Sequence, residues 1–309
     1  ALLGALAIAG REDAERWGSS RASVAFVAMG RYGGRECSYA SDADVIALHE
    51  AVGGASDSEA AASATAIVNR VKKLLGSATS QLGIVVDLDL RPEGKNGPMS
   101  RTIASHEEYA QRWASTWERQ AAVRARPIGD GGLAQAARSL FESMAYRDVS
   151  EAEVRDIRLL KARMENERLP RGTEPARHVK LGPGGLTDVE WTIQLIQMRH
   201  GREVEALRTS STTDAIAAAR DAGLLGASDA EILLNAWDLA TRIRAGNTLA
   251  TGRMSGVKLD VVPRDSAELG ALAAILGYGS GGLTALEEDW LRAARQARDV
   301  MERAFWEQQ

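Results

Sequence analysis

The chain has 309 residues, of which 45% are hydrophobic and 26% charged, so it can bury a core and is too apolar to be disordered. Its 42 acidic and 38 basic residues give a net charge of −4, which provides no positive field for binding nucleic acid. A single cysteine, Cys37, excludes an internal disulfide and fits a reducing compartment. No apolar run approaches the length of about 20 residues that spans a bilayer. We therefore expect a cytoplasmic protein that binds neither nucleic acid nor membranes.

Strand signals are confined to the first third of the chain. Short runs rich in hydrophobic residues predict strands at 24–29, 43–48 and 82–90, and the apolar stripe of 58–75 predicts a crossover helix between the last two. After about Ala110 the pattern predicts only amphipathic helices separated by glycine and proline. The predicted fold class is α+β, with a small sheet and flanking helices followed by an all-helical bundle.

The two parts of this pattern predict two domains. We place the boundary just before a highly charged helix whose apolar stripe begins at Val154, which gives domains at 1–148 and 149–309. The chain starts at Ala1, in a helical-looking stretch without an initiator Met, so we expect a fragment of a longer polypeptide.

The second half contains two helix-start signals and one glycine-rich loop. In Thr187–Glu190 and Ser228–Glu231 a hydroxyl residue precedes a glutamate by three positions, which predicts a capping box at each helix start. The segment 180–186, Lys-Leu-Gly-Pro-Gly-Gly-Leu, leads into the first of these helices. It is expected either to bind an anion at the helix N-terminus or to form a bend between domains, and the sequence leaves both open.

The main chemical signal is a pair of carboxylates at the start of the second predicted strand. Asp42 and Asp44 project to the same side because strand side chains alternate, while Ala43 and Val45 point to the buried side. Neighbouring carboxylates repel each other, which a hard divalent cation between them relieves, and oxygen-only ligands suit Mg²⁺. The pair therefore predicts a cation site.

Further residues extend this candidate site. The third predicted strand places Asp87 and Asp89 together on the face opposite its apolar residues, so that a third acid can join the pair. Three carboxylates on adjacent strands can hold two Mg²⁺ ions about 3.5 to 4 Å apart, the arrangement that serves phosphoryl and nucleotidyl transfer. Gly33 and Gly34 precede the pair and allow a phosphate to approach the backbone closely.

This combination of a glycine pair, Asp-x-Asp and a later acid resembles nucleotidyltransferases of the DNA polymerase β type. Longer segments at 29–36, 89–98, 117–121 and 178–191 resemble the glutamine synthetase adenylyltransferase family, and the resemblance covers essentially the whole chain. Members of that family carry two similar halves, with deadenylylation assigned to the first and adenylylation to the second. The motifs around the glycine pair and Asp-x-Asp are more similar to the second half, and 300–306 is similar to the family's C-terminus.

The resemblance implies a reaction and its partners. The expected reaction is ATP-dependent adenylylation of a tyrosine on glutamine synthetase, with release of pyrophosphate, in the regulation of nitrogen assimilation. Two Mg²⁺ ions are the expected cofactors and ATP is the substrate. Beyond glutamine synthetase, the expected partners are a PII signal protein, contacted by the helical half, and the other half of the bifunctional enzyme in the full-length chain.

The resemblance also implies roles for single residues. Family members place the third acid five residues before the proline of Arg-Pro, which selects Asp87. Asp89 stands where many relatives have arginine, and it stays open as an extra ligand or as a replacement for Asp87. Asp42, Asp44 and Asp87 are then expected to be both metal ligands and catalytic residues. The nucleotide-binding candidates are Gly33, Gly34, Ser41, Arg91 and Lys95.

Two alternatives stay open at this point. The first is phosphorolytic deadenylylation of glutamine synthetase, because the same acids and metals could serve that chemistry with phosphate as the acceptor. The second is a PII-sensing regulatory module without catalysis, against which the intact acids argue.

Overall fold

The computed structural model describes residues 1–39, 41–76, 83–279 and 282–307. These residues fall into two units, the first comprising Ala1–Cys37 and Ser41–Arg147 and the second comprising Asp148–Gln309 and Ser38–Ala40. The predicted α+β fold class is confirmed. The assignment of a catalytic domain to 1–148 and of a regulatory or substrate-binding domain to 149–309 stays a prediction.

The first unit combines a small mixed sheet with flanking helices. Its strands are β1 (Ala22–Ala28), β2 (Ala43–Ala51), β3 (Val86–Asp87), β4 (Ser100–Arg101) and β5 (Arg126–Ile128). Its helices are α1 (Leu2–Trp17), α2 (Gly30–Gly33), α3 (Asp57–Gly76), α4 (Ile103–Arg112), α5 (Thr116–Ala122) and α6 (Gly132–Ala145).

The sheet places the start of β2 beside β3. The main path runs β3-β2-β1-β5, with β1 antiparallel to both β2 and β5. Along its other edge β2 is parallel first to β3, through Ala43 and Asp44, and then to β4, through Ala47 and Leu48. Helix α3 connects β2 to β3 as the predicted crossover, which is why the two strands run parallel.

Apolar side chains cover both faces of the central strands. Helices α1 and α3 pack on one face, where Val45 and Phe26 are buried with Ile67 and Val71. On the other strand face Ile46 and Leu48 are also buried, and α6 contacts both β1 and β2. The half-buried Asp44 and the exposed Asp42, which directly precedes β2, thus lie beside the buried stretch Val45–His49 of that strand.

Two sequence predictions for the sheet are wrong in detail. The third strand was expected at 82–90, of which Leu82 lies outside the described residues, but β3 is only two residues long. The chain turns directly after it, with the Arg91 amide donating to the Leu88 carbonyl at 3.1 Å. The expectation of no strand after about Ala110 fails at β5, which, among the residues that the structure describes, pairs with β1 alone at the edge of the sheet. Pro127 has no backbone N–H to donate, so it is tolerated in an edge strand. A proline is atypical of strands, which is why the sequence pattern did not predict this one.

The second unit is built from helices, as predicted. They are α7 (Glu151–Glu167), α8 (Leu186–His200), α9 (Thr212–Asp221), α10 (Ala227–Thr251), α11 (Ser266–Ile275) and α12 (Gly282–Met301), followed by a π-helical turn, Glu302–Glu307. Its core joins α8, α10 and α12 through Val189, Ile193, Leu233, Trp237 and Trp290. In the part of the chain that the structure describes, none of the helices has the length and apolar character needed to cross a membrane.

The two predicted capping boxes are wrong, although the helix starts they marked lie within two residues of the observed ones. Helices α8 and α10 begin at Leu186 and Ala227, and their N-caps Gly185 and Gly226 each lie two residues before the predicted caps Thr187 and Ser228. The Thr187 hydroxyl instead donates to the Lys180 carbonyl at 2.7 Å.

The glycine-rich loop 180–186 forms a closely packed turn within the second unit. A Cβ on Gly184 would lie 1.7 Å from the Ala294 carbonyl oxygen of α12. The amides of Leu186 and Thr187, at the start of α8, donate to carbonyls of the preceding loop at 2.9 and 3.0 Å. Because protein groups already use these donors, the structure favours a packing role over an anion site.

Candidate active site

Three carboxylates meet at the start of β2. Asp44 pairs with Asp87 in the parallel β2–β3 ladder, so their side chains project to the same side of neighbouring strands. Asp42 lies just before β2, and one carboxylate oxygen from each of the three residues lies within 4.8 Å of the other two. Ala43 and Val45 are buried, as the alternation predicted.

The donors in this group suit a hard divalent cation. All of them are carboxylate oxygens, the ligand type that Mg²⁺ prefers, and three negative charges at this separation repel each other. Asp42 is exposed while Asp44 and Asp87 are half-buried, so an ion can enter from solvent. One oxygen of Asp87, Oδ1, accepts the amide of Asp89 at 2.7 Å, which fixes the orientation of that carboxylate. The residues present therefore fit a magnesium site.

Asp89 does not join this group of acids among the described residues. Its carboxylate lies 3.2 Å from Lys95 Nζ and 3.7 Å from Arg91 Nη1. The Arg91 guanidinium donates to the carbonyls of Leu88, Lys95 and Gly97 at 2.9, 3.1 and 3.2 Å, so it holds the turn after β3 closed. The Lys95 side chain is 81% exposed and can swing toward a ligand.

The glycine pair lies in and just after the short helix α2. The amides of Gly33 and Gly34 donate to the carbonyls of Met29 and Gly30 at 2.7 and 3.2 Å, so they are already used within the turn. A Cβ on Gly33 would lie 1.8 Å from the Arg124 carbonyl oxygen. Glycine is therefore required at 33 by a close backbone contact, and any phosphate contact there would come from close approach rather than from these two donors.

Ser41 is half-buried and hydrogen-bonds to the Cys37 side chain. Cys37 is exposed as a residue, but partial desolvation of its thiol raises the pKa, an effect that Arg31 and Ser41 oppose and that the charges of Asp44 and Asp42 reinforce. The thiol is consequently neutral at physiological pH and adds no charge to the group of acids.

Sequence reasoning missed the arginines that hold the loop before the acids. Arg124 is buried, forms an ion pair with Glu36 and donates from Nε to the Gly30 carbonyl at 3.2 Å. Arg126 donates from Nε to the Gly33 carbonyl at 2.8 Å. Glu36 lies in one of the segments that carry the family resemblance, but no local pattern shows that its partner is 88 residues away.

Comparison with protein families gives two matches that together cover most of the chain. A family model described as glutamate-ammonia ligase adenylyltransferase matches residues 5–140. A second, described as GlnD PII-uridylyltransferase, matches residues 158–305. The first match contains all three acids.

Curated relatives share one name, bifunctional glutamine synthetase adenylyltransferase/adenylyl-removing enzyme. The relative from Streptomyces coelicolor is 45% identical over 296 residues, which is 94% of this chain and 29% of the relative. The one from Bifidobacterium longum subsp. infantis is 45% identical over 292 residues, covering 93% and 27%. The one from Mycobacterium avium is 39% identical over 297 residues, covering 95% and 29%. With more than nine-tenths of its length aligned to proteins of this one name, the chain belongs to the glutamine synthetase adenylyltransferase family and spans less than a third of the length of these relatives.

Proposed function

We propose that this chain transfers the adenylyl group of ATP to a tyrosine hydroxyl of glutamine synthetase, as the adenylylating part of a larger cytoplasmic enzyme. The observation that carries the proposal is the convergence of Asp42, Asp44 and Asp87 within 4.8 Å at the start of β2. The name of the relatives supplies the acceptor protein. In the proposed reaction the hydroxyl oxygen attacks the α-phosphorus of ATP and pyrophosphate leaves.

The acids have distinct parts in this proposal. Asp42 and Asp44 would hold two Mg²⁺ ions, and Asp87 would be a further ligand of one of them. Bound Mg²⁺ neutralises the charge that develops on the phosphates and lowers the pKa of the hydroxyl. The oxygen-only donor set and the exposure of Asp42 support this assignment.

Asp87 is also the proposed proton acceptor. A carboxylate within reach of the hydroxyl can take its proton as the new bond to phosphorus forms. Because Oδ1 of Asp87 accepts the amide of Asp89 at 2.7 Å, the other oxygen, Oδ2, is the one offered to the proton or the metal. The backbone bond fixes the orientation of this carboxylate, which gives the acceptor a defined position.

Residues next to the acids are proposed to bind the triphosphate. Gly33 and Gly34 allow close approach to α2, and Ser41, which hydrogen-bonds to the Cys37 side chain, directly precedes Asp42 in the chain. Lys95 supplies a mobile positive charge from its exposed side chain, and Arg91 supplies one from a guanidinium that also holds the turn after β3.

We further propose that the second unit contacts a PII signal protein. The support is the match of residues 158–305 to the GlnD PII-uridylyltransferase model, which names a protein that acts on PII. In the full-length polypeptide this unit would pass the state of PII to the transferase site and to the other catalytic half.

A second candidate reaction is phosphorolytic removal of the adenylyl group. The names of the relatives include both activities, and the same three acids could serve phosphate as the acceptor. A purely regulatory module without catalysis is disfavoured because such a module has no use for three carboxylates held at this separation.

A labelling experiment separates the three functions. The chain is incubated with Mg²⁺, glutamine synthetase and ATP labelled at the α-phosphate. Transfer of label to the synthetase supports adenylylation. Release of label as ADP from pre-modified synthetase on addition of phosphate supports phosphorolytic deadenylylation. If neither occurs, both catalytic proposals are refuted and the regulatory module is left.

Single substitutions test the acids themselves. Asp42→Asn and Asp44→Asn should each reduce transfer to background while leaving the circular dichroism spectrum unchanged, because an amide replaces a charged ligand at nearly constant volume. Asp89→Asn is the matched control, since Asp89 is near in sequence but outside the group of acids, and it should retain near-normal transfer. Near-normal transfer by either variant at 42 or 44 would refute the assignment.

A further inference from the structure

A buried ion pair lies behind the loop that leads to the acids. The side chains of Arg124 and Glu36 are only 5% and 10% exposed. Burying two charges has a large desolvation cost, so such a pair contributes less to stability than to fixing one arrangement of the groups it holds.

One guanidinium ties together both ends of the loop from Gly30 to Glu36. At one end Arg124 Nε donates to the Gly30 carbonyl at 3.2 Å, and at the other end its Nη2 pairs with the Glu36 carboxylate. The loop is closed by a second contact between its ends, in which the Glu36 amide donates to the Arg31 carbonyl at 2.8 Å. Only a planar fork of donors can make both contacts of Arg124 at once; lysine offers a single ammonium.

Gly30 in turn lies directly against Asp44. Its φ is +51°, and a Cβ built on it would be 2.9 Å from Asp44 Oδ2, so only a hydrogen fits between the two. The neighbouring Met29 amide donates to the Asp44 carbonyl at 2.9 Å. The Met29–Gly30 segment therefore restricts the positions that the backbone and the carboxylate of Asp44 can take.

We propose that Arg124 and Glu36 are positioning residues for the cation site: they fix Gly30, and Gly30 sets where the Asp44 carboxylate can lie. This inference rests on the proposed function in one respect, that Asp44 is a metal ligand. Its content is separate, because it assigns the geometry of that ligand to an ion pair that touches neither metal nor substrate. Groups that orient metal ligands in this way commonly change metal affinity by about 10- to 100-fold when they are replaced.

The test measures Mn²⁺ binding to the chain without nucleotide, by the loss of the electron paramagnetic resonance signal of free Mn²⁺. Glu36→Gln removes the charge at nearly constant volume, and Arg124→Lys keeps the charge but loses the fork. We expect each to weaken Mn²⁺ binding by about tenfold. If Glu36→Gln fails to fold, Arg124→Lys still tests the proposal.

A matched control comes from a similar pair in the second unit. Arg177 is also buried, pairs with Glu287 and donates to the carbonyls of Val262 and Pro263. Glu287→Gln makes the same chemical change without touching the loop that holds Gly30. It should change the Mn²⁺ dissociation constant by less than about twofold.

The outcomes separate this inference from the proposed function. Wild-type Mn²⁺ binding that Asp44→Asn removes, together with unchanged binding in both Glu36→Gln and Arg124→Lys, overturns the positioning role and leaves the cation site intact. Absence of Mn²⁺ binding in the wild-type chain overturns the cation site and the positioning role together. If Glu287→Gln weakens Mn²⁺ binding as much as Glu36→Gln does, the positioning role is overturned, because the effect would then come from a general loss of stability.

Discussion

Substitution of Gly184 by alanine tests how closely the loop 180–186 packs against α12. Gly184 has a φ of +72°, and Gly223, also in the second unit, has the same φ of +72°. The two positions differ in their surroundings. No described atom lies within 4 Å of a Cβ at Gly223, whereas a Cβ at Gly184 would lie 1.7 Å from the Ala294 oxygen and 2.5 Å from its carbonyl carbon. Gly223→Ala is therefore a control for the backbone conformation alone.

The expected cost follows from three contributions. A left-handed conformation costs alanine about 1 kcal/mol, which applies to both variants. At Gly184 the blocking atoms belong to helix backbone and cannot turn aside, so the loop must shift, at about 1 to 3 kcal/mol. That shift breaks the bond from the Gly184 amide to Asp188 Oδ2, 2.8 Å long and buried, which adds about 1 kcal/mol or more. We expect Gly223→Ala to lower the free energy of unfolding by about 1 kcal/mol and Gly184→Ala by about 3 to 5 kcal/mol.

Urea unfolding followed by far-ultraviolet circular dichroism measures both variants against the wild-type chain. The difference between the two alanine variants isolates the close approach, because the backbone contribution cancels. A Gly184→Ala variant within about 0.5 kcal/mol of Gly223→Ala, less than the smallest overpacking cost, would refute the packing that we describe for this loop.

Two further predictions concern buried charges. Burial, aided by the positive charge of Arg101, lowers the pKa of His106 from 6.5 to about 4. Between pH 7 and pH 4 the His106 side chain is therefore protonated in the unfolded chain but stays neutral in the folded chain. The free energy of unfolding should fall by up to about 3 kcal/mol over this pH range. His106→Phe should reduce this pH dependence when thermal denaturation is measured at a series of pH values. Lys161→Met should lower the free energy of unfolding by about 3 kcal/mol, because it leaves the buried Asp188 without its nearest cation. Lys258→Met, at an exposed ion pair, should change it by at most about 1 kcal/mol in the same urea assay.

The acid site is the part of the structure that the sequence predicted best. Alternation along a strand placed Asp42 and Asp44 on one side and grouped Asp87 with Asp89 on one face of the next predicted strand. These inferences use only local periodicity, and the family resemblance was needed to select Asp87 over Asp89. The juxtaposition of the three acids in the structure agrees with them, while their catalytic role stays a prediction.

Features that depend on distant partners could not be predicted in this way. Arg124 and Glu36 are far apart in sequence, and nothing local distinguishes this arginine from a solvated one. β5 shows no strand pattern because its three residues include Pro127, and it exists only because β1 offers an edge. The capping box at Thr187 fails for a similar reason, since the loop before α8 folds back and takes the hydroxyl as a donor.

The central claim is that Asp42, Asp44 and Asp87 hold magnesium against a nucleotide. The most direct measurement is a crystal structure of the chain with Mg²⁺ and an ATP analogue that cannot be cleaved between the α- and β-phosphates. We predict metal density between the three carboxylates, in contact with the triphosphate. A nucleotide bound elsewhere, or carboxylates that turn apart with no metal between them, would contradict the claim.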